Sequence, residues 1–218
     1  EFQKLKGKYG DAITTKEEAR VMPLAPFDLT TLQVEAFKFL GLTPSQTLQI
    51  AQTLYLEGLI SYPRTASQKL PAAIGYRAIL QKLAKQFPEL AKHAKRSRPI
   101  EGDKTDPAHP AIFPTGERAD KLTAVERAVY ELIMRRFLAC FAEDAVIENK
   151  VIKVTVEGKE FFAKGLQIRE KGWLNVYKAK YTESEVPDLK GKVFVEEVKI
   201  EQKETQPPKR YTAASIVS

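Results

Sequence analysis

The chain has 218 residues, 43% of them apolar and 29% charged, with a formal net charge of +7. This composition suits a globular chain of one large domain or two small ones. It excludes a membrane helix, since no run nears the roughly 18 apolar residues one needs, and the single cysteine, Cys140, excludes a disulfide framework or multi-cysteine zinc site.

The first ten residues, EFQKLKGKYG, lack the apolar stretch of a secretory signal, so a cytoplasmic location is expected. Glu1 is not a natural initiator, which suggests a chain cut from something longer. Residues 1–28 are irregular, with Pro23 and Pro26 as a hinge-like stretch. From about 30 to 141 the apolar pattern is helical. Thr30 and Gln33 have capping-box spacing ahead of Leu32, Ala36, Phe37 and Leu40, and Gly41 follows as a C-cap candidate. A second capping box at Thr43 and Gln46, with Pro44 at the first helical position, opens a helix. That helix should turn Leu48, Ala51, Leu54 and Tyr55 inward and stop near Gly58. The two form a helix-turn-helix-like pair.

Residues 59–62 read as a short strand ended by Pro63, and Pro71 opens a third helix with Ile74, Ala78, Ile79 and Leu83 on one face. The prolines at 99, 107, 110 and 114 mark residues 95–118 as a long loop. Thr123 and Glu126 cap a fourth helix with a stripe of Val125, Val129, Leu132, Ile133 and Phe137; Cys140 at its end reads as a small buried hydrophobe. From about 146 to 200 the pattern alternates like strands: 151–156, then 161–162 after a turn at Gly158, then 173–177 and 193–200. The N-terminal 28 residues are candidates to pair with them.

Two segments carry chemistry. Tyr62-Pro63-Arg64 sets a phenol two residues from a guanidinium on a proline-stiffened turn. A phenol can attack a phosphodiester and hold a covalent intermediate. An arginine can bind phosphate oxygens bidentately and stabilise the charge that develops. Thr65, Ser67, Gln68 and Lys69 follow as donors suited to a DNA backbone. The same residues also fit a packed strand tyrosine beside a surface arginine. His109, between Pro107 and Pro110, is rigidly presented, and an imidazole there could sit beside a phosphate or serve in acid–base steps; a loop histidine capping a carbonyl is the alternative. Asp103 and Asp106 read as solvated loop acids rather than metal ligands, and residues 92–98 as a basic patch. Trp173, Tyr177, Phe161 and Phe162 could stack on bases, though strand spacing favours core packing.

Residues 58–67 (GLISYPRTAS) resemble the active-site motif of the type IA DNA topoisomerases. Residues 108–115 (AHPAIFPT) resemble their histidine-bearing motif, which brings in Thr115; residues 26–36 resemble the segment leading into their tyrosine-bearing domain, and residues 207–217 the segment where the chain returns to the rest of the enzyme. The Tyr-Pro-Arg-Thr form is most similar to the archaeal topoisomerase I and III-like branch. The resemblance implies an α+β, multidomain fold: a helical, winged-helix-like tyrosine domain at 29–145 inserted into a mainly β arch at 1–28 and 146–212, with 213–218 beginning a return segment.

It also implies that Tyr62 attacks single-stranded DNA to leave a 5′-phosphotyrosyl link, that Arg64 holds the scissile phosphate, and that His109 contacts a phosphate nearby. Another strand then passes and the break is resealed without ATP. Contacts to DNA fall to Thr65, Ser67, Gln68, Lys69 and Thr115, and the protein is expected to be a nucleoid-associated monomer. Two positions depart from the family pattern: Ala66 where many members carry aspartate, and Phe113 where many carry arginine or histidine. The family's Mg²⁺ ligands lie in a Toprim domain with an Asp-x-Asp pair, and no Asp-x-Asp occurs in this chain. The expectation is therefore a fragment whose Toprim partner, and with it cleavage, lies elsewhere. A non-enzymatic winged-helix nucleic-acid module with an appended β domain is the competing reading. A tyrosine recombinase is a weaker rival, because its tyrosine usually comes last in order.

Overall fold

Alternating apolar residues do make long strands here, and they pair across the sequence. The computed structural model describes residues 2–179, 181–208 and 210–216, so Lys209, Val217 and Ser218 of the expected return segment lie outside the described residues. Contacts divide the chain into two units.

The first unit comprises residues 2–21, 145–171 and 181–208. It is a four-stranded antiparallel sheet of β1 (Tyr9–Val21), β2 (Ala145–Val156), β3 (Lys159–Glu170) and β4 (Gly191–Phe194), in the order β3-β2-β1-β4. Strand β1 pairs with β2 from Asp11↔Thr155 to Val21↔Ala145. Ala12, Ile152 and Val156 are buried on one face, as the alternation requires. The strand expected at 193–200 is shorter: β4 ends at Phe194, and beyond it Val195 donates its amide to the Lys8 carbonyl at 3.0 Å and accepts the Gly7 amide at 2.8 Å. Phe162 is well exposed rather than packed.

The second unit comprises residues 22–144, 172–179 and 210–216. It holds α1 (Leu29–Leu40), α2 (Pro44–Leu56), α3 (Tyr76–Gln86), the single turn α4 (Pro88–Ala91) and α5 (Ala124–Cys140). Thr43 and Gln46 cap α2 reciprocally, Thr123 and Glu126 cap α5, and Gly41 closes α1 in the left-handed region at φ 70°. The cap of α1 is Asp28, not Thr30: its carboxylate accepts the Thr31 amide at 2.7 Å and the Thr31 hydroxyl returns to the Asp28 amide. Helix α3 starts at Tyr76 rather than Pro71, because Gly75 at φ 72° breaks the path after a 3₁₀ turn at Ala72–Ile74. The core gathers Leu32, Leu54, Leu83, Val129, Ile133 and Phe137; Val125 and Tyr55 lie outside it.

Residues 22–28 and 172–179 pack with the helices, whereas the sequence reading set them with the strands. Phe27 is fully buried and its carbonyl accepts the Ile112 amide at 2.7 Å. Instead of a strand, Gly172–Asn175 forms a 3₁₀ turn fixed by the Trp173 amide on the Glu143 carbonyl. Trp173 and Tyr177 are buried, and the Arg136 guanidinium lies 4.3 Å from the ring centres of both Phe27 and Tyr177. Cys140 is buried, its Sγ donating to the Arg136 carbonyl at 3.1 Å, and burial pushes its thiol up to about 12.

Candidate active site

Helix α2 ends at Glu57, and Gly58, at φ 73°, turns the chain into an irregular stretch that Leu59 and Ile60 anchor in the core. A second irregular stretch, 111–115, runs beside it. The expected strand at 59–62 reduces to one bridge, Ile60 with Pro114, closed by the Ser61 amide on the Phe113 carbonyl and the Thr115 amide on the Leu59 carbonyl, and Pro63, next in line, has no N–H to extend it. Side chains supply what the ladder lacks. The Ser61 hydroxyl donates to the Ala111 carbonyl and accepts the Phe113 amide, both at 3.0 Å. The Thr115 hydroxyl donates to the Gly58 carbonyl at 2.7 Å.

The next residues are braced in the same way. Buried Thr65 donates to the His109 carbonyl at 3.3 Å and accepts the Ser67 amide at 3.0 Å. Buried Ser67 accepts the Lys69 amide at 3.1 Å. Gln68 donates from Nε2 to the Asp28 carboxylate at 3.1 Å, and Lys104 Nζ lies 3.3 Å from the same carboxylate. Lys69 Nζ stands 3.9 Å from Glu101. Four of the residues proposed from sequence as DNA donors, Thr65, Ser67, Gln68 and Thr115, therefore hold the loops to each other.

The outcome is a contact between the two stretches. The rings of Tyr62 and His109 lie with centroids 4.6 Å apart at an angle of 48°. Tyr55, from α2, meets Tyr62 edge-on at 5.3 Å and 72°. Tyr62 and His109 are half-buried and Arg64 is exposed. Among the described residues, neither the Tyr62 hydroxyl nor the His109 ring nitrogens nor the Arg64 guanidinium has a hydrogen bond or ion-pair partner. A phenol with no internal partner, flanked by an imidazole and followed by a free guanidinium, is equipped to meet a phosphate.

His109 owes its place to an acid the sequence reading left in solvent. The Asp106 carboxylate accepts the amides of Ala108 at 2.8 Å and His109 at 3.1 Å, and these bonds hold its pKa below the usual value. Tyr55 was also missed as a site residue, because its helical spacing matches the apolar stripe. For Mg²⁺ the residues do not fit: among the described residues there is no grouping of three or more His, Cys, Asp or Glu able to hold an ion.

The DNA topoisomerase family model matches residues 2–218. The chain belongs to the DNA topoisomerase family. DNA topoisomerase 1 of Pyrococcus horikoshii is 43% identical over 217 residues, which cover 94% of this chain and 31% of the relative. DNA topoisomerase 3 of Caenorhabditis elegans is 32% identical, covering 100% of this chain and 30% of the relative. The solved full-length topoisomerase I of Thermotoga maritima superposes with a TM-score of 0.76 at 28% identity, covering 99% of this chain and 38% of that one. These relatives place it in the type IA branch. The chain spans about a third of the length of the curated relatives it matches. No described helix is long and apolar enough to cross a membrane.

Proposed function

We propose that this chain carries the strand-cleaving tyrosine of a type IA topoisomerase that acts on single-stranded DNA. The observation behind the reading is the unpartnered Tyr62 hydroxyl beside His109, with Arg64 free two residues on. In this reading the Tyr62 oxygen attacks the phosphorus of a backbone phosphodiester. A phosphorus–oxygen bond to the phenol forms as the bond to the 3′ oxygen breaks, and that oxygen leaves as a hydroxyl once protonated. The DNA is left on a 5′-phosphotyrosyl link. Arg64 binds the non-bridging oxygens and offsets their growing charge. His109, pressed against the attacking phenol, contacts a neighbouring phosphate. The 3′ hydroxyl reverses the step after a strand has passed, and no ATP is required because the phosphotyrosine retains the bond energy.

The helical unit, with its residues 22–144 and 172–179, then serves as the winged-helix-like tyrosine domain, and the sheet unit, 2–21, 145–171 and 181–208, as the arch. In the same reading Mg²⁺ chemistry falls to other domains of the longer protein. The test is Tyr62→Phe in the full-length protein. Relaxation of negatively supercoiled DNA and the covalent adduct should both vanish while the variant stays folded. Relaxation that survives the substitution refutes the reading.

A further inference from the structure

A cleft of about 450 Å³ opens on the helical unit where the Tyr62 loop ends, lined by Pro71, Tyr76, Arg77, Ser97, Arg98 and Glu101. Its charge is lopsided. The Glu101 carboxylate is already engaged: one oxygen accepts the Leu70 amide at 2.5 Å and the other faces Lys69 at 3.9 Å. Arg77 and Arg98 are exposed and have no carboxylate partner among the described residues. This sets Arg98 apart within its own basic run. Lys92 pairs with Glu89, Lys95 with Glu143 at 3.0 Å and Arg96 with Asp144 at 2.7 Å. Arg98 alone of these four has no carboxylate partner among the described residues, and it lines the cleft together with Arg77 of α3, which has none either.

An anion entering the cleft would meet two guanidiniums that no carboxylate neutralises. Their planar forks match phosphate oxygens, and the Ser97 hydroxyl adds a neutral donor. We infer that this cleft is a second phosphate-binding site, holding the backbone of the same single strand that reaches Tyr62; the inference rests on the reading that Tyr62 acts on DNA. The eight Cα–Cα steps from Tyr62 to Leu70 span at most about 28 Å. A stacked strand covers that in about eight nucleotides at ~3.4 Å each. The loop that bears the nucleophile thus leads to the cleft, and contacts at both ends would hold the strand in register for cleavage.

The test measures binding of this chain to a fluorescent oligothymidylate of about 12 nucleotides by anisotropy across a salt series. The R77A/R98A double variant should bind about tenfold more weakly. Its slope of log affinity against log salt should fall by ~1.4, since each single-strand phosphate contact contributes ~0.7. R77K/R98K should keep the slope, because the charges remain. Each single arginine variant, at an exposed position, serves as the check that a loss is not unfolding. Unchanged affinity and slope in R77A/R98A overturn the inference, and so does failure of the unmodified chain to bind. If R64A weakens binding while R77A/R98A does not, the cleft fails and the Tyr62 site stands. The Tyr62 reading fails independently, in the relaxation assay.

Discussion

The sheet and the Tyr62 loops satisfy the same need by opposite means. In the sheet, β1, β2 and β3 exchange backbone hydrogen bonds over strands of 12 and 13 residues, and few of those bonds depend on which side chain stands where. Around Tyr62 the ladder shrinks to a single bridge, and Ser61, Thr65, Ser67, Thr115, Asp28 and Asp106 supply the missing partners. Backbone repetition tolerates substitution at its polar positions. A loop held by hydroxyls and carboxylates does not, and in return it can place Tyr62 and His109 in contact without a strand or helix to carry them.

The contrast predicts that polar truncation is costly only at the loops. Asp28 offers the largest effect, because its buried carboxylate caps α1, accepts from Gln68 and pairs with Lys104. Asp28→Ala should lower stability by about 3 kcal/mol, ~1 for the lost cap and the rest for the charge-assisted bonds. Urea denaturation measures it, and a change below about 0.5 kcal/mol breaks the contrast.

In the sheet the sensitive position should be one where backbone approaches backbone. A Cβ on Gly10 would sit 2.6 Å from the Thr155 carbonyl oxygen on the paired strand. Gly10→Ala should therefore cost about 2 kcal/mol through displacement of β1 against β2. Lys153, which pairs with Glu160 on an exposed face, should by comparison lose less than ~0.5 kcal/mol on truncation to alanine. A Lys153→Ala cost equal to that of Gly10→Ala, in the same urea measurement, removes the distinction.

Local signals carried much of the fold. The caps at Thr43 and Thr123 and the stop at Gly41 rest on residues three apart or on one glycine, so spacing reveals them. Trp173 and Tyr177 are packed as expected but not on a strand, because a five-residue alternation also describes a tight turn with both rings buried. At the site, Tyr62, Arg64 and His109 were nominated by chemistry and by resemblance, but no local pattern announces that two rings 47 positions apart will touch. Nor does spacing tell a strut from a ligand. The partners of Thr65, Ser61 and Thr115 lie 44 to 57 residues away, so the use of their hydroxyls emerges only from the packed loops.

Asp106 gives the smallest effect and the sharpest view of how the loops are held. Amides of Ala108 and His109 stabilise its charged form, so its pKa lies below the ordinary 3.8. A carboxyl depressed in the folded state contributes order that is fully present above its unfolded pKa and is lost as pH falls through the folded one. The contact between His109 and Tyr62 should therefore hold from neutral pH to below 3.8 and loosen only beneath it. The cross-relaxation between the two rings, followed by NMR as pH is lowered, should fall in one step in that window. Asp106→Ala should abolish the step and leave the two rings loosely associated at every pH. A step centred above 3.8, or one that persists in Asp106→Ala, would assign the bracing of His109 to some other group and weaken the case that single side chains replace the ladder here.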